Sequence, residues 1–235
     1  MFPALKSGLV AIASSCFALI AVPAAAATPI HITGAGIYAP GTVGVTTGTS
    51  GSNDYASLVK FNATVGDSTD SRDLIGFCID LFHSIYVGVN TQLPMSLDYH
   101  VGKLTTDAHG KVLSSAQIQQ ITGLANLGFS ISRSGAADKA VQLAAIQQAI
   151  WTVEYPGSSF VATGGYANQQ ALADSFVALA PTLTGSAKVM YADNFATQGF
   201  MVAGVPEPAV WAQLILGLGM VGAVSRRRAR GVVTA

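Results

Sequence analysis

Charge is scarce in this 235-residue chain. Asp, Glu, Lys and Arg make up 10% of it, against about 25% in an ordinary soluble protein. A chain so poor in charge and 50% hydrophobic is not a disordered acidic or basic polymer. Twelve basic residues balance twelve acidic ones, which argues against a nucleic-acid binder. Cysteine is nearly missing as well: Cys16 and Cys78 are too few for a disulfide-built scaffold. His31, His83, His100 and His109 lack metal-ligand spacing with carboxylates or cysteines, so neither metal nor cofactor is expected. The glycines of 41–51 are followed by no lysine or helix that would make a phosphate loop, and no serine stands in a nucleophile elbow. There is no internal repeat and no heptad run. These absences leave a globular domain that does not read as an enzyme.

Much of the apolar excess lies at the two ends. Residues 1–27 carry Lys6, an apolar run from Leu9 to Val22, then Pro23 and four alanines. This is the pattern of a secretory signal peptide, with cleavage by signal peptidase expected after Ala27. At the other end, Ala209 to Val224 is 16 residues without a charge, followed by Arg226, Arg227, Arg228 and Arg230. As a helix it spans roughly 24 Å, short of the typical bilayer core but able to insert with local thinning. The arginines predict a stop-transfer cluster that keeps the C-terminus in the cytoplasm. Pro206-Glu207-Pro208, a short Gly-rich apolar helix and terminal arginines together resemble the PEP-CTERM sorting signal. That resemblance implies processing by an exosortase, a membrane peptidase of Gram-negative bacteria. It also implies an inner-membrane-tethered precursor whose mature form belongs to the cell surface or the extracellular matrix of a biofilm.

Three parts follow: 1–27 as signal peptide, 28–203 as the exported domain, and 204–235 as the sorting segment. Without its ends the chain loses Lys6, the four arginines and Glu207, so the exported part carries a formal charge of about −4 and keeps Cys78 alone. Strands are predicted over 30–38, 57–65, 74–86 and 95–104 from alternation and β-branched content. Residues 41–53, rich in Gly, Thr and Ser, read as a loop. Helical spacing starts at Ser115, recurs over 138–155 with Pro156-Gly157 as its stop, and again over 167–179. Short strands at 188–192 and 199–203 close the domain. Strands first and helices later predict an α+β fold.

Two polar residues stand out inside apolar patterns. In a strand through Phe77-Cys78-Ile79-Asp80-Leu81-Phe82 both faces are largely apolar, so the strand is central and Cys78 buried. A free buried cysteine is by itself an ordinary small core residue. In the helix over 138–155, Gln147 sits mid-way across the apolar arc formed by Ala140, Leu143, Ala144, Ile150 and Trp151, with Gln142 and Gln148 outside it. A primary amide in that position needs hydrogen-bond partners or a covalent reason to be there. By spacing alone, a hydrogen-bonded core glutamine accounts for it.

FCID followed by Ile146-Gln147-Gln148-Ala149-Ile150-Trp151 resembles the bacterial thioester domains of Gram-positive surface adhesins, in their TQXA-type arrangement. Ile146 stands where that family commonly has threonine. The resemblance implies a β-barrel or sandwich with a helical subdomain. It also implies a bond from the Cys78 thiol to the Gln147 side-chain carbonyl, formed with loss of ammonia. An internal thioester is an activated acyl group open to amines, and burial against Trp151 and Phe77 would shield it from water. Forming it requires a thiolate, and Asp80, His83 and Glu154 are candidates for a proton relay. The function expected is adhesion: covalent coupling to amine-bearing surfaces or exopolysaccharide. The alternative is a structural exopolysaccharide-matrix protein that uses the same fold without a reactive bond.

Overall fold

The computed structural model describes residues 29–47, 50–107, 110–192 and 197–203. The expected signal peptide, with Cys16, and the expected sorting segment, with Pro206, Glu207, Pro208 and its arginines, lie outside these residues, as does His109. Among the described residues no helix is long and apolar enough to cross a membrane.

The chain forms ten strands and three α-helices among the described residues. In order they are β1 (Pro29–Ile37), β2 (Gly41–Thr47), β3 (Ser50–Ala56), β4 (Val59–Val65), β5 (Arg72–Cys78), β6 (Gly88–Val89) and β7 (Leu93–Gly102). Then come α1 (Ser115–Ser132), α2 (Lys139–Glu154), β8 (Ser159–Gly164), α3 (Gln169–Leu179), β9 (Lys188–Ala192) and β10 (Phe200–Val202). This is a mixed α/β fold.

Six strands close into an antiparallel barrel in the order β4-β5-β10-β9-β7-β1, with β1 pairing back onto β4. Closure leaves no free sheet edge around the ring. β1 meets its two barrel neighbours with a register shift at Thr33, skipped in its pairing with both β4 and β7, and its end also pairs in parallel with the short β6. Alternation then decides what fills the barrel. Ile30, Ile32, Phe61, Tyr99 and Phe200 form one buried core with Cys78, and Phe61 meets Phe200 edge-on at 4.9 Å.

The outer face of β5, β9 and β10 is apolar too. Phe77, Val189 and Met201 join Ile121, Leu124 and Phe129 of α1 and Ile146 and Ile150 of α2 in a second buried core. Two apolar faces are what made the Cys78 strand read as central, and it does lie between β4 and β10. α1 begins in a capping box: the Gln117 N–H donates to Ser114 Oγ at 3.2 Å and the Ser114 N–H to Gln117 Oε1 at 3.1 Å. Asp138 precedes α2 without making a side-chain cap.

The sequence expectations need three corrections. Residues 41–53 are not a loop: β2 pairs with β3 and with β8 in a separate three-stranded sheet. Composition hid it because β2 buries little beyond Gly41, Val43 and Val45. A side chain at Gly41 would run into Gln169 of α3, so glycine here marks close packing rather than slack. β8 was not anticipated. The strand expected over 74–86 stops at Cys78, and the apolar residues beyond it lie in bends and irregular chain.

Candidate functional site

β5 runs beside β4 only as far as Gly76, which faces Val59 at the start of that strand. On its other flank β5 stays paired to its end. Cys78 faces Phe200, and the Ile79 N–H donates to the Gly199 carbonyl at 3.1 Å. Backbone groups alternate sides along an antiparallel strand. The N–H and C=O of Cys78 therefore point the other way, into the place β4 has left. Two unpaired backbone groups at a buried position would be costly.

Gln147 fills that place from α2. Its Oε1 accepts the Cys78 N–H at 2.8 Å and its Nε2 donates to the Cys78 carbonyl at 2.7 Å. Both bonds are buried. The side-chain amide thus pairs with the end of β5 as another strand would. α2 is held in the rotation this needs. Gln117 of α1 donates through Nε2 to the Val153 carbonyl at 3.1 Å. Trp151, one turn beyond Gln147, stacks on Phe160 of β8 with ring centres 6.3 Å apart. The Tyr155 hydroxyl donates to the Ile79 carbonyl at 3.0 Å.

Past Cys78 the chain turns around Asp80. Its Oδ1 accepts the N–H groups of Phe82 and His83 at 2.9 and 3.0 Å, and its Oδ2 meets His83 Nδ1 at 2.7 Å. This carboxylate-centred turn is why the strand ends here. The Cys78 Sγ–H donates to the Asp80 carbonyl at 3.1 Å, and the Asp80 N–H approaches Sγ at 3.4 Å. Gln198 donates through Nε2 to the same carbonyl at 2.9 Å. Asp80 is buried, whereas the His83 side chain is 35% exposed. With Nδ1 taken by the carboxylate, Nε2 is the ring nitrogen left for other contacts.

A cavity of about 140 Å³ opens beside the sulfur, lined by Cys78, Trp151, His83, Ser57 and Gln198 among others. Burial pushes the Cys78 thiol well above its usual pKa, against the stabilising Asp80 N–H, and the charges of Asp80 and Glu154 add to the rise. Trp151 acts in the opposite direction, although its Nε1–H makes no hydrogen bond of proper geometry. The sulfur is a neutral thiol in this resting arrangement. Glu154, on α2, is buried, and among the described residues neither of its oxygens has a hydrogen bond of proper geometry, although Tyr155 acts to lower its pKa. Desolvation, then the charges of Asp107 and Asp80, hold its carboxyl well above the ordinary carboxylate range.

The structure therefore brings Cys78 and Gln147 into direct contact and joins Asp80 and His83 into one pair. Glu154 sits close enough for its charge to bear on Cys78, but no hydrogen bond ties it to the others. Phe77 does not cover the sulfur. It points to the helices and packs on Phe129 with ring centres 5.5 Å apart, so of the two aromatics expected to shield the sulfur Trp151 alone lines the cavity. Gln148, expected outside the buried arc, is 1% exposed and donates to the Phe160 carbonyl and Gln170 Oε1 at 3.1 and 2.9 Å. α2 is enclosed on nearly every side, so a one-face reading of it misplaces Gln148. Tyr155 and Gln198 were not singled out by sequence, and neither stands in a pattern that would have flagged it. Among the described residues, no group of three or more His, Cys, Asp or Glu side chains is arranged to hold a metal ion.

No protein-family model, no curated protein and no solved structure matches this chain.

Proposed function

We propose that this protein is an exported covalent binding module in which Cys78 and Gln147 form an internal thioester that couples to amines. One observation carries the reading: the Gln147 amide, on the flank of β5 that β4 has left, lies directly on the cysteine residue. The Cys78 N–H already donates to Gln147 Oε1, so it polarises that carbonyl and is placed to receive negative charge as sulfur adds to Cδ. The Sγ–Cδ bond forms, the Cδ–Nε2 bond breaks, and the thiol proton leaves with ammonia. An amine reverses the polarity of the exchange. Its nitrogen bonds to Cδ, the C–S bond breaks, and a proton from the amine restores the thiol. His83, held by Asp80, is the base nearest the cavity. Glu154 serves as a buried proton store behind the sulfur. The strand barrel and the helices over it agree with an α+β thioester-domain architecture spanning 28–203.

In this reading the ends supply the address. Signal peptidase removes 1–27, the segment 204–235 tethers the precursor at the inner membrane, and an exosortase recognises Pro206-Glu207-Pro208. The product acts at the cell surface or in the extracellular matrix, on amine-bearing protein or exopolysaccharide.

Intact mass of the purified protein tests the central claim. A mass one ammonia below that of the unmodified chain is expected, restored on Gln147→Ala or Cys78→Ala relative to each variant's own sequence. The unmodified mass in the wild type would sink the reading. It would favour a structural matrix protein in which Gln147 only completes the strand, a role its two hydrogen bonds also fit. Native alkylation alone does not separate the two, because a buried neutral thiol is slow to react even when free.

A further inference from the structure

We propose that Asp54 is the specificity residue of the Cys78 cavity and admits the nucleophile as a primary alkylammonium ion. This rests on the thioester reading and adds which nucleophile reaches the bond. The cavity that touches Cys78 is also lined by Asp54, which comes from β3 rather than from the barrel. The small sheet therefore builds one wall of the site. Asp54 accepts a hydrogen bond from the Ser52 hydroxyl at 2.9 Å, a neutral partner that leaves its charge in place. Among the described residues no lysine or arginine lines the cavity, and the other ionisable side chains in its lining are Tyr55, His83 and Cys78 itself. His83 is already matched to the Asp80 carboxylate. Asp54 is thus the carboxylate in the cavity lining, and a carboxylate draws in a cation and gives a neutral sugar hydroxyl much less. Tyr55, Leu81, Ile85 and Val87 line the remainder, and they suit the methylene stem of an alkylamine.

The chemistry balances within these residues. The ammonium docks at Asp54 and passes one proton to His83 Nε2. The free amine bonds to the acyl carbon of Gln147, the C–S bond breaks, and a second amine proton returns to sulfur. His83 then releases its proton to water. The net change is thioester plus alkylammonium giving amide, thiol and one proton. The ligand chemistry is shared by free diamines and by the ε-amino group of a protein lysine.

The full chain, purified in detergent, is first weighed for the missing ammonia. It is then incubated at neutral pH with cadaverine, with a lysine-containing peptide acetylated at its N-terminus, and with hydroxylamine, which is uncharged there. Adduct formation is followed by mass. The expected result is that Asp54→Asn lowers the ratio of cadaverine to hydroxylamine rates about tenfold, and that Asp54→Glu restores it. The ammonia deficit in each variant reports that it has folded. Coupling of cadaverine without the peptide assigns the site to free amines, and coupling of both assigns it to protein lysines. A deficit present with the ratio unchanged in Asp54→Asn overturns this proposal while leaving the thioester standing. No deficit in the wild type overturns both.

Discussion

The side chain of Gln147 does for Cys78 what β4 does for Gly76, two positions earlier in β5. It accepts the backbone N–H at 2.8 Å and donates to the backbone C=O at 2.7 Å. Strand end and helix are thereby joined across 69 positions of sequence, and a carbonyl carbon is brought to the residue that bears the thiol. The same contact that pairs the strand end would, in the proposed chemistry, hold the reacting groups together.

Gln147→Ala should therefore be costly whatever the chemistry. It leaves the Cys78 N–H and C=O buried without partners, and a loss of about 2–4 kcal/mol is expected. Urea unfolding of the variant against Cys78→Ala checks this. Cys78→Ala also lacks any crosslink but keeps both backbone bonds, so it should stay the more stable of the two variants by about 2 kcal/mol. Equal losses would show that the amide pairing contributes little.

Glu154 makes stability depend on pH. Its folded pKa is raised, so the folded state holds the proton more tightly than the unfolded chain does. No penalty exists below the unfolded value near 4.5. The penalty grows as pH rises from there and is complete above the folded value. Glu154→Gln should gain on the wild type steadily as pH increases from 4.5, with little difference below it. Melting temperatures of both proteins at stepped pH give the curve, and parallel curves would contradict it.

His83→Asn removes the proposed base but leaves Asp80 Oδ1 to hold the turn. Coupling to an amine at neutral pH is expected to slow about a hundredfold while the fold persists. Raising the pH should recover part of the loss by supplying deprotonated amine. A variant as fast as wild type at pH 7 would remove His83 from the mechanism.

Gly128 of α1 is the position where a methyl group tests the wall behind the site. A Cβ there would overlap the ring of Phe77, next to Cys78, and come close to Ile146, next to Gln147. Gly128→Ala should destabilise by about 1–3 kcal/mol, despite alanine's better helix propensity. It should also lower the fraction of protein that lacks the ammonia. Thermal melting and intact mass on one preparation read both.

The Cys78–Gln147 pair was legible because each residue breaks a pattern that is otherwise apolar. The turn after Cys78 was not, since Leu81, Phe82, Ile85 and Tyr86 keep the look of a strand. Only the side chain of Asp80, gathering two N–H groups and His83, shows where the pleat ends. The small sheet was missed for the opposite reason: glycine, serine and threonine give β2 and β3 the composition of a loop. Their pairing is decided by what they cover, with Val43, Val45 and Phe160 in the same core as Trp151. Asp54 could not be placed in the site until that sheet was known. Gln148 was misplaced because a helical wheel assumes one buried side, and α2 has partners all round.

The barrel also has a mechanical side. β10 is its last strand, and any pull on the chain beyond residue 203 enters through its three residues. They are paired to β5 on one flank and β9 on the other. From β5 the tension reaches Cys78 and crosses directly to the middle of α2, bypassing the 68 intervening residues. With two hydrogen bonds that crossing is a weak joint, and with a covalent bond it becomes a rivet. A protein stretched between an anchored tail and a bound partner would then resist extension until the nucleophile cut the rivet.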